Sequence, residues 1–289
     1  MNQIYKKPKI LLIAGSGRSG STLLDQLLGC INGFVSTGEI RWLFDAGYEA
    51  NQLCSCRNPI RKCPFWSKVM KEVLQENTLK EILSLKRSVD QQRYLFRILF
   101  PALRSNKYQT SYEEHGKIYL KLFKSIQNIS GARVIVDSSK HVCYASILTH
   151  NPGIDLRIVH LVRDSRAVAY SWLRKKKIEA VYWENKFMPQ PKSVVSAIKW
   201  MGINTLTARH KNLGNHYLMV RYEDLIIKPK SVLKKIAKFV GEENINFDFL
   251  TNKSGIKVKK NHIALGNPNL FSNNPINLRL DNEWEKELK

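Results

Sequence analysis

Apolar residues fall into two kinds of pattern along the chain. The first is the short unbroken run. Ile10-Leu11-Leu12-Ile13-Ala14 contains no polar residue, as expected of a strand buried on both faces of a parallel sheet. The second is the one-sided stripe. Leu23, Leu24, Leu27 and Leu28 follow that run at helical spacing. Phe34-Val35-Ser36 predicts a second short strand. Arg133 to Asp137, Leu156 to Val162 and Tyr217 to Arg221 predict three more, each followed by a helical pattern. After the last, Val232, Ile236, Phe239 and Val240 share one face, and Gly241 is placed to close the helix. From about 64 to 130 no strand signal intervenes. Ile118, Leu122, Ile126 and Ile129 make one stripe there, and Leu95, Ile98 and Leu99 another. From about 252 onward Lys, Asn, Gly and Pro dominate, and the tail reads mostly as loop.

Strand and helix in alternation predict an α/β fold with a central parallel sheet and right-handed crossovers, in one domain over residues 1–289. The helical block at about 64–130 is read as a cap, an insertion over the sheet's ligand edge. Ligands of such sheets sit at the carboxyl ends of the strands, so the residues just after each strand are the candidates for chemistry.

Charge narrows the partner. Lys and Arg number 47 against 24 Asp and Glu, a formal net charge of +23. That balance calls for an anion: a nucleotide, a phosphate or sulfate donor, an acidic glycan, nucleic acid or a membrane surface. No apolar run approaches the ~18 residues of a membrane span, and Ile10 to Ala14 is too short for the core of a signal peptide. A cytoplasmic location is therefore expected. Five cysteines in a chain this long do not make a disulfide framework.

The first strand runs into Gly15-Ser16-Gly17-Arg18-Ser19-Gly20-Ser21-Thr22 and then a helix. Glycines let the backbone wrap an anion while successive N–H groups and the helix N-terminus face it. The spacing is that of a P-loop, which makes the predicted fold a P-loop-like three-layer one, but Ser21 stands where the lysine belongs. That departure argues against ordinary ATP or GTP hydrolysis, and Arg18 is placed to supply the missing cation. Gly15, Gly17 and Gly20 also fit a dinucleotide fingerprint, for which Glu39 is the one acidic candidate downstream.

The segment Ala14 to Leu24 resembles the 5′-phosphosulfate loop of sulfotransferases that use 3′-phosphoadenosine 5′-phosphosulfate (PAPS). Ile158 to Trp172 resembles their 3′-phosphate segment, with Arg163 and Ser171 at the phosphate-holding positions. Ser171 lies eight residues after Arg163, about two helical turns. Ser36-Thr37-Gly38-Glu39, Val136 to Lys140 and Val220-Arg221-Tyr222-Glu223-Asp224-Leu225 are similar to further elements of the family. Gly266-Asn267-Pro268 is similar to an element of its bacterial members that closes over the donor. The likeness is to the bacterial type, in the tyrosylprotein and carbohydrate sulfotransferase-like branch, and its matches are spread over most of the chain.

The resemblance implies in-line sulfuryl transfer from PAPS to a hydroxyl or amine of a small-molecule, glycan or lipid acceptor, with no metal required. Gly17, Arg18, Ser19, Gly20, Ser21, Thr22, Arg163, Ser171, Gly266 and Asn267 then bind the donor, Arg18 and Lys140 stabilise the leaving side, and Glu39 is the base. His141, directly after Lys140, is the rival base. The plainer readings are a helix N-terminal acid for Glu39, an exposed lysine for Lys140, and a core residue for His160. Arg174-Lys175-Lys176-Lys177 is either a solvated helix end or a donor contact, and Lys257, Lys259 and Lys260 are near enough to the tail loop to reach the donor. Tyr94, Phe96, Phe100 and Tyr108 read as core.

Cys54-x-Cys56-x6-Cys63-Pro64-Phe65-Trp66 resembles a cysteine-rich element of bacterial sulfotransferases, with Arg57 in place of the usual glycine. Three thiols in ten residues would form a Zn²⁺ site with a histidine or Cys143, but no fourth ligand is adjacent. A redox-sensitive pair or packing thiols is the expectation. Two rivals remain: a nucleotide-dependent kinase, for which the loop lysine is missing, and a nucleic-acid-binding protein, for which no recognition motif is present.

Overall fold

The computed structural model describes residues 7–251, 255–258, 262–272 and 274–287, apart from the side chains of 213–215. Strands β1 (Lys9–Ala14), β2 (Phe34–Ser36), β3 (Val134–Lys140), β4 (Asp155–Val162) and β5 (Tyr217–Arg221) form one sheet in the order β2-β3-β1-β4-β5. Every pairing is parallel. The connecting helices are α1 (Ser21–Gly29), α2 (Trp66–Val73), α3 (Leu79–Val89), α4 (Leu95–Leu99), α5 (Asn106–Ser130), α6 (Val142–Thr149), α7 (Ser165–Leu173), α8 (Ser193–Ala208), α9 (Tyr222–Ile227) and α10 (Pro229–Phe239). Beyond residue 252 the described tail holds a single helical turn at Pro268–Phe271 and the four-residue α11 (Trp284–Glu287).

The central place of β1 explains its composition. Side chains alternate across a strand, and here Ile10, Leu12 and Ala14 enter one core while Leu11 and Ile13 enter the other. The first core is closed by the helical block, with Trp66, Ile82, Tyr119, Leu122 and Ile126 fully buried. The second is closed by α1, α9 and α10. These are the two outer layers of a three-layer α/β fold. Helix ends follow their local chemistry. Thr78 and Glu81 form a capping box on α3, Gly131 stops α5 with φ 65°, and Gly241 lies just past α10.

The block at 64–130 is helical, as expected, and it flanks the sheet on one face. None of its side chains lines the ligand cleft described below. It reaches the sheet's carboxyl edge through two ion pairs: a buried one, Arg41 Nε to Asp90 Oδ2 at 2.9 Å, and one from buried Lys86 Nζ to half-buried Asp45 Oδ2 at 2.7 Å. Burial lowers the Lys86 pKa and raises that of Asp90 to about 6. Both pairs hold the segment that follows Glu39.

β3 runs three residues past its expected end, with an irregular register opposite Leu12 to Ala14. The extension is polar, yet Asp137, Ser138 and Ser139 are buried. Their hydrogen bonds account for this. Ser139 and Tyr144 donate to Asp137, the latter at 2.6 Å. Ser138 Oγ and Ser36 Oγ donate to Asp25 at 3.0 and 2.6 Å, which ties α1 to β2 and β3.

Burial raises the Asp25 pKa to about 7, and the donations from Ser36 and Ser138 only partly oppose it. Between the unfolded value of about 3.9 and that raised value the folded chain keeps a proton the unfolded chain has lost, so this group's contribution to stability falls as pH rises through the window. Asp25→Asn removes the titration. Its stability relative to the parent should climb between about pH 4 and pH 7 and level off above. Urea denaturation across that range checks it, and a flat difference would refute burial as the cause.

Candidate active site

The connection leaving β1 leads to β2 on one side of the sheet, and that leaving β4 leads to β5 on the other. Strand order reverses there, which is where α/β sheets open a crevice at their carboxyl ends. The crevice is a cleft of 1210 Å³.

The turn from β1 into α1 forms one wall, contributing Gly17, Arg18, Gly20, Ser21 and Thr22. Gly20 is the α1 N-cap at φ 89°. A Cβ on it would lie 2.4 Å from the Tyr222 ring, so both the backbone and the space demand glycine. Arg18 also has a positive φ, 67°. Its guanidinium lies 5.1 Å from the centre of the Trp172 ring, and its Nη2 donates to the Ser171 carbonyl at 3.3 Å. Burial lowers its pKa, helped by the charges of Arg163 and Arg174. Its buried Nε has no hydrogen-bond partner among the described residues.

Arg163 is the first residue after β4. Its guanidinium lies 4.6 Å from the centre of the Tyr222 ring, Nη1 donates to the Arg18 carbonyl at 3.2 Å, and Nη2 is 3.5 Å from Asp281. Ser171, on α7, is nearly buried and lines the same cleft. Arg174 grips Asp281 with two bonds of 3.1 and 3.0 Å. Partial burial works against ionisation of Asp281, but Arg174 and Arg163 outweigh it and lower its pKa. Lys176 shares the wall, and its pKa is lowered by burial and by Arg18.

Glu39 and Lys140 line the cleft as an ion pair. Lys140 ends β3 at φ 61°, and its Nζ donates to Glu39 Oε1 at 2.5 Å and to the Ser138 carbonyl at 2.8 Å. Tail and site meet behind Glu39. The Glu39 N–H donates to the Ala264 carbonyl at 3.0 Å, and the Ala264 N–H to the Thr37 carbonyl at 2.9 Å. Gly38, at φ 81°, passes so close that a Cβ would lie 2.2 Å from the Ala264 oxygen. Gly266 and Asn267 then line the cleft, and the Asn267 N–H reaches Thr22 Oγ1 at 3.3 Å.

The structure therefore gathers Gly17, Arg18, Gly20, Ser21, Thr22, Glu39, Lys140, Arg163, Ser171, Gly266 and Asn267 around one space. Two candidates fall outside its lining. The Ser19 side chain is buried. His141 is not among the lining residues, and its Nδ1 lies 3.9 Å from buried Asp90. Burial, with Arg41 and Lys86 nearby, pushes its pKa down to about 3. His160 is a core residue, bonded to Tyr217 and Asn204 at 2.6 and 2.8 Å. Of the aromatic set, Tyr108 is buried while Phe96 and Phe100 are exposed, which corrects the core expectation for those two. Lys257 lines the cleft; Lys259 and Lys260 lie outside the described residues.

Several site residues were missed. Trp172 and Tyr222 lie within the segments of resemblance, where the sequence reading gave neither a role of its own, although an aromatic face for a neighbouring arginine is a readable signal. Asp281 and Arg279 carried none. The cysteine element gained a partner as well: His262 lies beside Cys54, Cys56 and Cys63, where the sequence offered no adjacent fourth ligand.

Among the described residues no helix is long and apolar enough to cross a membrane. No curated protein matches the chain. Its fold is similar to the sulfotransferase domain from the Synechococcus PCC 7002 olefin synthase, at 21% identity and a TM-score of 0.53, covering 99% of this chain and 90% of that one. It is also similar to the sulfotransferase domain from the curacin biosynthetic pathway, at 18% identity and a TM-score of 0.54, covering 96% and 90%. The sulfotransferase family profile matches residues 8–246, a span that takes in all five strands and both arginine walls of the cleft: the chain belongs to the sulfotransferase family.

Proposed function

We propose that this sulfotransferase takes its sulfuryl group from PAPS and transfers it in line to a hydroxyl or amine. The observation that carries the reading is the convergence of Arg18, Arg163 and Ser171 on the same cleft as the Glu39–Lys140 pair. Arg163 and Ser171 would hold the 3′-phosphate, the fork of the guanidinium suiting its oxygens. The N–H groups of the 17–22 turn and the N-terminus of α1 would face the 5′ end. Buried Arg18, with its Nε unpartnered, and the excess of cations on these walls fit a strongly anionic donor. When bound, PAPS supplies the activated sulfur and a phosphate leaving group.

The chain's own residues would do the rest by positioning and electrostatics. Lys140 Nζ, which here holds Glu39 Oε1, would turn to the leaving-group oxygen and release the carboxylate. Glu39 would then accept the proton lost by the acceptor as the new bond to sulfur forms. Arg18 and Lys140 would provide the positive charge that Mg²⁺ provides in phosphoryl transfer, so no metal enters this step. The His141 ring backs onto Asp90, outside the cleft lining, which favours Glu39 as the base. The acceptor is proposed as a small-molecule, glycan or lipid hydroxyl.

Calorimetric titration with 3′-phosphoadenosine 5′-phosphate should show binding that exceeds that of ATP with Mg²⁺. Arg163→Ala should weaken it ~10–100-fold, the loss expected for charged hydrogen bonds. Absence of bisphosphate binding would sink the donor assignment, and ATP-Mg²⁺ binding in its place would indicate a kinase.

With labelled PAPS and an acceptor found by screening, Glu39→Gln should lower kcat ~10²–10⁴-fold while bisphosphate affinity stays within a few-fold. His141→Gln should keep kcat close to that of the parent. The reverse pattern would move the base to His141.

A further inference from the structure

The cysteine element does not act in the transfer step above, yet it gathers four ligating side chains at the edge of the cleft, which Cys56 helps to line. Cys54 and Cys63 are fully buried, Cys56 and His262 partly so. One ligand atom from each of the four lies within 4.8 Å of every other. We propose that Cys54, Cys56, Cys63 and His262 form a closed tetrahedral site for a thiophilic divalent cation, Zn²⁺ by its chemistry, that pins the tail segment to the wall of the active site.

The spacings favour a metal over a disulfide. Cys56 and Cys63 sulfurs are 3.7 Å apart, and all five cysteines are free. A disulfide needs ~2.05 Å. Two thiolates on one tetrahedral Zn²⁺, each at ~2.3 Å, are separated by about 3.8 Å. His262 Nδ1 is 3.2 Å from the Cys63 sulfur, close to the corresponding nitrogen–sulfur edge of about 3.5 Å. A Cys56–Cys63 disulfide would leave Cys54 and His262 without a task.

Surrounding groups orient the ligands as they do in metal–thiolate knuckles. The Cys54 N–H donates to the Asn58 carbonyl and the Arg57 N–H to the Cys54 carbonyl, both at 2.8 Å. The resulting tight loop places Arg57 at φ 65°. Asn58 Nδ2 lies 3.6 Å from the Cys56 sulfur. His262 is held separately. Phe65 stacks on its ring at 5.6 Å with planes 9° apart, and Trp66 Nε1 donates to its carbonyl at 2.6 Å. Four protein ligands leave no open position, so the ion is structural rather than catalytic. On binding, the thiol protons of the cysteines pass to solvent.

The place of the site gives the ion its task. Ser55 N–H bonds the Ile263 carbonyl, and Ala264 bonds Thr37 and Glu39. An ion joining His262 to the knuckle anchors the strip against which the Glu39 backbone rests, and from which Gly266 and Asn267 continue into the cleft.

The test is metal content by mass spectrometry on full-length protein purified without chelator. The parent and Cys143→Ser should each carry one zinc per chain, whereas Cys63→Ser and His262→Ala should fall below about a tenth. His262→Cys, which rebuilds a four-thiolate site, should retain zinc, a rescue that mere packing at residue 262 does not predict. Reconstitution with Co²⁺ should give the intense visible bands of a tetrahedral thiolate site in the parent and not in Cys63→Ser. A parent that binds neither ion, or that carries a stoichiometric Cys56–Cys63 disulfide in peptide mapping, would overturn the proposal. The readouts involve no nucleotide, so their outcome is independent of the donor assignment.

Discussion

Positive charge crowded into a partly dry cleft is the constraint from which the rest of the site follows. Burial, together with Arg163 and Arg174, lowers the Arg18 pKa, and burial and Arg18 do the same to Lys176. Removing cations from water and setting them side by side is costly unless they are compensated. The chain compensates in part. Backbone carbonyls of Arg18 and Ser171 accept from the neighbouring guanidiniums, Tyr222 and Trp172 offer ring faces, and Asp281 bonds Arg174 and faces Arg163. These contacts hold the guanidiniums in fixed directions. The proposed donor, an anion with several oxygens, would complete the arrangement, and by binding the folded chain alone it would stabilise it by RT ln(1 + [L]/Kd).

The glycines of the first loop answer to that constraint. An anion is best cradled by backbone, and backbone gets close only where side chains are missing. Gly20 shows the other half of the requirement. It must be bare on its inner side because the Tyr222 ring occupies the space, and that ring lies under Arg163. One glycine thus lets the loop from β1 and the residue after β5 meet around the arginine that follows β4.

Local pattern carried much of this into the sequence. Past Lys9, β1 is all apolar because it is central, and its neighbour β4 keeps apolar residues at Leu156, Ile158, Val159, Leu161 and Val162, so both were legible from hydrophobicity. So was the rule that chemistry follows strands, which reached Arg163 and Lys140. The end of β3 was not legible, because Asp137, Ser138 and Ser139 look like a loop until Asp25, Ser36 and Tyr144 are seen to satisfy them. The same limit applied to His141. Adjacent to Lys140 in sequence, it does not line the cleft, and its ring lies beside buried Asp90 instead. The placement of the helical block depended on which face of the sheet its apolar stripe would choose, a question that periodicity does not address. Asp281 and His262 share a different obstacle. Each acts on residues about a hundred or more positions earlier, and single-chain pattern has no term for such pairings.

Pairings distant in sequence also make Glu39 a fixed group. It follows a strand of only three residues at the edge of the sheet, and a strand that short holds its neighbours weakly. Three elements make up the deficit. β3 pairs with β2 and supplies Lys140 to the carboxylate. The helical block grips the next turn, Lys86 bonding the Arg41 carbonyl and Asp90 the Arg41 side chain. The tail closes the third side through Ala264, bonded to both Thr37 and Glu39. The role proposed for Glu39 requires that its oxygen stay within hydrogen-bond reach of the reacting group. In this fold that precision is assembled from the middle and the end of the chain, around a residue that lies near its beginning.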